Sequence, residues 1–342
     1  MKILTQSIIQ TLLVGYGEMG RNYHLPVLRN SLLAQVVGVV RASKEAAAHG
    51  VPLFASLEQA LDQLRPDLAV ISTPHVFHYE QAKLCLEYNC HVLVEKPLAL
   101  CYSDAAHLVQ LAEERERLLV VGLQRRYEGL VRIFTSLVAE GRLGDIQLVH
   151  GLFAHRFSNL EGQGWRADPQ LSGAGILDDS AYHLIDLLLS FAGGKVRDLS
   201  ARVLNTKDKA LPHSFTCFFT TDSCATVSAC GSYLSPVNSV QEEISIWGTR
   251  GALFARRFCR EWDTTPPQVF FKSVDGKEKK DYDLTGIPRG RELPLKALLS
   301  VLAGEAPRQA LLTEGKDTLE TQRAIELIRE SGGRNSSAAN TD

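Results

Sequence analysis

In the first third of the chain, apolar residues gather in short, nearly unbroken runs at residues 8–14, 34–40, 68–72, 91–94 and 118–121. Runs of this length without polar alternation suit strands buried on both faces, as in a parallel sheet covered by helices. Between them the apolar positions recur at helical spacing, over residues 77–88 and 103–116, and Ser103-Asp104 offers N-cap chemistry at the start of the second stretch. Repetition of strand and helix, with right-handed crossovers, predicts a doubly wound α/β domain over residues 1–123.

After Gln124 the rhythm changes. A helix is expected over 130–140, stopped by Gly141 as a C-cap glycine. Strand patterns then follow at 146–153, 196–203, 215–221, 225–232, 243–247 and 269–273. Their close spacing predicts a mostly antiparallel sheet and an α+β second domain over 124–330. An insertion at 154–192 carries a Gly-rich turn and then a helix, and a final helix is expected over 313–330. Residues 331–342 are small and polar, which predicts a disordered tail.

Composition narrows the function classes. With 37 Lys and Arg against 39 Asp and Glu, the formal charge is −2, which gives no electrostatic reason to expect nucleic acid or an anionic membrane as partner. No apolar run reaches the length of a membrane span; the richest, at 184–192, is interrupted by Asp186. The first ten residues are too polar for a secretory leader. The seven cysteines include no Cys-x-x-Cys and no zinc-site spacing, which fits reduced thiols in the cytoplasm and no metal.

Gly15-Tyr16-Gly17-Glu18-Met19-Gly20 is a Gly-x-Gly-x-x-Gly placed directly after the first strand run. The first glycine permits the tight turn, the second lets backbone approach a pyrophosphate, and the third allows close helix–strand packing. An NAD site calls for Asp or Glu at the end of the second strand. This chain has Arg41 there, followed by Ser43 and Lys44, which suits the 2′-phosphate of NADP better than the 2′-hydroxyl of NAD.

Val94-Glu95-Lys96-Pro97-Leu98 joins this loop in a set of ordered motifs. The others are His24-Leu25-Pro26, Ser72-Thr73-Pro74 with His78, the Gly141–Asp145 turn, the run from Gly173 to His183 and Ile246-Trp247-Gly248-Thr249-Arg250-Gly251. As a set they resemble the Gfo/Idh/MocA oxidoreductases over residues 8 to about 330. The resemblance implies a Rossmann domain, a second domain with an open sheet, and dimers or tetramers formed through that sheet. It implies cofactor contacts at Gly15, Gly17, Glu18, Met19, Gly20, Ser72, Thr73, Pro74, His75, His78, Glu95, Lys96 and Pro97, with a Lys96–Pro97 bond that is often cis in the family.

It also implies catalytic roles for Lys96, Asp179 and His183. A lysine beyond a parallel strand can polarise a substrate oxygen, and imidazole suits removal of a hydroxyl proton near neutral pH. Asp179, His183 and Asp186 fall at i, i+4 and i+7, one stripe of a regular helix whose other faces are apolar. The alternative reading makes this stripe structural. Asp178, Ala181 and Ala174 depart from the family pattern beside this site. Arg126, Arg156, Trp165 and Arg166, with Asp179 and His183, are the expected substrate contacts, since a flat indole suits a sugar ring and arginines suit an anionic group. The expected activity is NADP-dependent hydride transfer at a secondary alcohol or ketone of a sugar or cyclitol. Reduction of an imine or conjugated double bond, NAD-dependent glycoside cleavage and non-catalytic NADP-binding regulation are the alternatives.

Overall fold

The computed structural model describes residues 8–41, 50–156, 164–205, 211–235, 239–259, 266–287 and 289–336. Ser43 and Lys44 lie outside them. The chain divides into two units, Met1–Gln124 with Arg291–Leu319, and Arg125–Gly290 with Glu320–Asp342.

The first unit holds β1 (Ile9–Val14), α1 (Leu25–Asn30), β2 (Ala34–Val40), β3 (Leu53–Phe54), α2 (Leu57–Leu64), β4 (Leu68–Ile71), α3 (His78–Glu87), β5 (His91–Val94), α4 (Tyr102–Glu114) and β6 (Leu119–Val121). Its six strands pair in parallel in the order β3-β2-β1-β4-β5-β6, a Rossmann arrangement whose order reverses between β1 and β4. Every residue of β4 is buried, as the unbroken apolar run demands. Helix α4 begins one residue before Ser103, with Cys101 at its N-cap, so Ser103 and Asp104 sit inside the first turn instead of capping it.

The second unit begins with α5 (Gly129–Ala139), which ends as expected at Gly141, with φ +65°. There follow β7 (Ile146–Ala154), α6 (Pro169–Ser172), α7 (Tyr182–Ala192), β8 (Val196–Leu204), β9 (Ser214–Thr221), β10 (Thr226–Ser232), β11 (Val240–Gly248), β12 (Gly251–Cys259), β13 (Gln268–Ser273) and β14 (Lys279–Tyr282). The eight-stranded sheet runs β14-β13-β12-β11-β7-β10-β9-β8 and is antiparallel except for the β7–β10 pair. Helix α7 lies on it so closely that a Cβ on Gly151 would meet Leu184 and Leu188 at 2.8–2.9 Å. Among the described residues no helix is long and apolar enough to cross a membrane.

Two boundaries differ from the sequence reading. After β14 the chain returns to the first unit, where α8 (Leu293–Leu302) puts Leu295, Leu298 and Leu299 into the same core as Leu13, Val39 and Leu93. Thr313 and Glu314 then lie antiparallel along β6, with Val121 N–H donating to Thr313 O at 2.9 Å, so the edge of the sheet is covered. The division at residue 124 therefore misses a discontinuous first unit. The last helix, α9 (Leu319–Ser336), starts later than 313 and ends beyond 330. Gly332 is buried, and a Cβ there would meet Val203, so the helix runs past 331 and is packed at Gly332, where a loose tail was expected; residues 337–342 lie outside the described ones.

Candidate active site

In the first unit the glycine loop follows β1 without a break. Gly15 has φ +95°, donates its N–H to Val40 O at 3.0 Å, and a Cβ there would meet the Ser72 carbonyl at 2.8 Å. Gly20 is equally closed, with a Cβ falling 2.3 Å from Gly15 O. Gly17 has nothing within 4 Å of its missing Cβ. Two glycines are thus fixed by internal packing, while the middle one opens onto free space where a diphosphate can approach backbone. A dinucleotide fits this loop.

Arg41 follows β2, and its guanidinium lies 5.6 Å over the ring of Tyr16, inside the loop. Serine and threonine of the next loop are bound within the fold: Ser72 Oγ donates to Gly15 O at 3.2 Å, and Thr73 Oγ1 donates to Gln81 Oε1 at 2.6 Å. Pro74 precedes a short turn at His75–Phe77, and His75 is buried. His78 is wholly buried, with Nδ1 2.7 Å from Pro97 O and Nε2 2.9 Å from Thr73 O, so it ties the loop after β4 to the loop after β5. Burial pulls its pKa down, against the pull of the two carbonyls and Glu95. Glu95 accepts from His24 Nε2 at 2.9 Å and packs against Gly122, where any Cβ would meet its carboxylate. The Lys96–Pro97 bond is cis, and Lys96 is half-buried at the end of this loop.

In the second unit the expected stripe is broken. Residues Leu177–Ala181 form a widened π turn, closed by Ala181 N–H on Ile176 O at 2.9 Å, and α7 starts only at Tyr182. The extra residue in that turn takes Asp179 out of register with His183 and Asp186, so the three do not form one regular i, i+4, i+7 face. Asp186 is fully buried. Its carboxylate accepts from Arg126 Nη2 at 2.6 Å and Nε at 2.9 Å, and from Thr321 Oγ1 at 2.9 Å. Arg126, expected among the substrate contacts, thus grips α7 from within the fold. Asp178 is also fully buried, accepting from Arg329 Nη2 at 2.9 Å and from Ala174 N–H at 2.6 Å. Its departure from the family pattern is answered by an internal cation.

Asp179 and His183 remain half-buried. Arg166 Nε stands 3.6 Å from Asp179 Oδ2, and the same guanidinium lies 4.4 Å over the Trp165 ring, so three of the expected contacts form one cluster. Arg156 is exposed and bridges to Leu234. His155, Ser180 and Tyr233 complete the surroundings and were not among the expected residues. Tyr233 Oη donates to Ser180 Oγ at 2.8 Å, and His155 packs edge-on against Tyr233 at 5.0 Å. Burial, then the Asp179 charge, raises the Tyr233 pKa far above its usual value, while burial lowers that of His155. Both follow the paired strands β7 and β10, whose register sets Ser232 opposite Ala154, and no spacing in the sequence shows this pairing. Arg125 joins an ionic group with Glu242, Glu128 and Arg257, in which all but the half-buried Glu128 are buried. No cluster of three or more His, Cys, Asp or Glu able to hold a metal occurs among the described residues.

Residues 9–123 match the oxidoreductase family with an NAD-binding Rossmann fold, and residues 131–254 match the C-terminal domain of the same family. The chain belongs to the Gfo/Idh/MocA family. Among curated relatives, the uncharacterized oxidoreductase YdgJ of Escherichia coli is 31% identical over 53% of this chain and 53% of its own length. The NADP(+) scyllo-inositol 2-dehydrogenase IolW of Bacillus subtilis is 25% identical over 58% of this chain and 55% of its own length. The chain thus spans about half the length of the curated Gfo/Idh/MocA relatives it matches. Over nearly its full length it shares the fold of the WlbA dehydrogenase of Bordetella pertussis, solved with NADH and UDP-GlcNAcA, at a TM-score of 0.80 and 21% identity, covering 96% of this chain and 97% of that one.

Proposed function

We propose that this member of the Gfo/Idh/MocA family is an NADP-dependent oxidoreductase acting on a secondary alcohol or ketone of a sugar or cyclitol. The observation that carries the reading is the glycine loop, open at Gly17 and flanked by Arg41 over Tyr16. A guanidinium at the end of β2 takes the place of the acid that would repel a 2′-phosphate, and can pair with that phosphate in a charge-assisted contact. Relatives include the NADP(+) scyllo-inositol dehydrogenase, while the WlbA structure holds NADH, so Arg41 is the discriminating feature within this chain.

The bound nicotinamide supplies the hydride acceptor. In this reading His183 is the group that takes the hydroxyl proton through its imidazole and Asp179 the carboxylate that supports it, while Lys96 is a hydrogen-bond donor for a substrate oxygen. Arg166, held between Asp179 and the Trp165 face, keeps a cation beside the carboxylate, and the indole offers an apolar surface to a sugar ring. Absorbance at the reduced-nicotinamide band, followed over a panel of polyols, ketosugars and nucleotide sugars with each cofactor, tests the reading. Turnover with NADP preferred over NAD supports it. No turnover with any of the panel and no dinucleotide binding would refute it.

We also infer that the open sheet face joins copies of this chain. Strand register aligns Phe270, Phe254, Ser245, His150, Ser228 and Phe218 in one row across β13, β12, β11, β7, β10 and β9. Phe254 stacks on Phe270 at 4.9 Å, and Phe218 is 58% exposed. Three phenylalanines in one row of an open sheet face favour burial against a second sheet. Sedimentation should show a dimer or larger species, and Phe218→Lys with Phe254→Lys should yield monomers.

A further inference from the structure

Arginines that hold the second unit together meet their acids at hydrogen-bond distance. Arg126 donates twice to Asp186, Arg329 donates from Nη2 to Asp178 at 2.9 Å, and Arg125 donates to Glu242. Arg166 is held differently. It lies in the short turn Trp165–Ala167, with its guanidinium 4.4 Å over the Trp165 ring. Its Nε stands 3.6 Å from Asp179 Oδ2, too far for a hydrogen bond. The acid nearest to it in the chain, Asp168, is engaged elsewhere, since its carboxylate caps α6 by accepting the Gln170 N–H at 2.8 Å. Among the described residues Arg166 donates no hydrogen bond, although its side chain is only 25% exposed.

A half-buried guanidinium in this state lacks acceptors that a ligand can bring. The indole fixes its plane from one face, so its N–H donors meet a solute along the edge. A fixed guanidinium edge matches the two coplanar oxygens of a carboxylate, whereas the hydroxyl of a neutral sugar takes one N–H and needs no plane. A phosphate also offers two oxygens, but it brings nearly two charges beside Asp179, and one guanidinium carries one. Burial disfavours the charged forms of His155 and Tyr233, so neither changes this balance. We propose that the substrate is a sugar acid and that Arg166 binds its carboxylate. This rests on the oxidoreductase reading given above and narrows its substrate class to sugars that carry an acid group.

Calorimetric titration of the full chain, loaded with whichever of NADPH and NADH binds tighter, tests the assignment. The probes are D-glucuronate and D-galacturonate, each against its neutral amide, and glucose 6-phosphate. In the wild type at least one acid should bind about ten-fold or more tightly than its amide, the worth of one charge-assisted contact. Arg166→Gln should bring that ratio to about one, and Arg166→Lys, which keeps the charge and loses the fork, should restore only part of it. Each ratio compares two ligands on one preparation, so a loss of folded protein cancels from it. Acids that bind no better than their amides, or not at all, would overturn the assignment. A ratio unmoved in Arg166→Gln, or tighter binding of glucose 6-phosphate than of either acid, would do the same. Turnover of neutral polyols alone would overturn the acid class and leave the oxidoreductase reading standing; failure of the wild type to bind either dinucleotide would overturn both.

Discussion

Replacing Asp186 by Ala removes the acceptor of three hydrogen bonds and leaves the Arg126 guanidinium, only 13% exposed, without its carboxylate. Breaking a buried pair from one side costs about 3–5 kcal/mol, chiefly because the surviving charge is stranded away from water. Two of the three tryptophans, Trp165 and Trp247, lie among the described residues of the second unit, and the third, Trp262, is in the same span of the chain, so fluorescence follows the unfolding of that unit even if the first unit melts separately. With a urea dependence of about 1–3 kcal/mol per molar, the fluorescence midpoint should fall by about 1–5 M. The pair Asp186→Leu with Arg126→Met removes both charges together and should recover most of that loss, since an apolar replacement of a buried pair is often neutral or stabilising. A single Asp186→Ala variant that keeps its midpoint within about 0.5 M and loses substrate affinity would refute the reasoning, and would return Arg126 to the substrate contacts.

Three further outcomes follow from the geometry. Arg41→Asp should lower the preference for NADP over NAD by about ten-fold or reverse it, as read by calorimetry with both cofactors. His183→Ala should reduce kcat by about 10²–10⁴ with an unchanged melting curve, and combining it with Lys96→Ala should cost less than the product of the single losses. His91 titrates near pH 4 because burial, and then Arg117, disfavour its charged form, and its Nδ1 accepts the Leu118 N–H at 2.9 Å. The unfolded ring takes its proton first, at about pH 6.5, so stability is intact above that pH and falls as the pH drops toward 4. Screening at a partly exposed ring limits the loss to about 1–2 kcal/mol. Thermal melts between pH 7.5 and 4.5 should show it, and His91→Gln should flatten the dependence.

The parallel sheet was legible because its strands are buried on both faces and therefore read as unbroken apolar runs, β4 most plainly. Strands β12 and β14 were not, for two different reasons. β12 carries Arg256 and Arg257, and the second is buried only because Glu242 and Glu128 from other elements meet it. β14 reads Lys-Lys-Asp-Tyr, the charged composition of an edge strand that must not pair with a stranger. The returning segment at 291–319 was assigned to the wrong unit because helix spacing says that α8 is amphipathic and nothing about which core receives it. Lys96, Asp179 and His183 were singled out through their motifs. His155 and Tyr233 were not, because what joins them is the register of β7 on β10, a contact between residues far apart in sequence.

The difference between the predicted helical stripe and the observed π turn bears on where selectivity resides. A regular helix from Gly175 onward would present Asp179, His183 and Asp186 together, and would make Asp178 a neighbour of the pocket. Instead the widened turn at Leu177–Ala181 separates the two buried carboxylates from the two half-buried groups. Asp178 and Asp186 are each saturated by an arginine and one further donor, so a change at either acts first on stability. Asp179 is half-buried and meets Arg166 in a long, partly exposed contact at 3.6 Å, of the kind that is weak in water. We therefore propose the cationic and aromatic pair Arg166 and Trp165, beside Asp179 and with His155 and Tyr233 nearby, as the place where selectivity resides. Asp178 is the chain's most conspicuous departure from the family motif, yet its chemistry is closed within the fold.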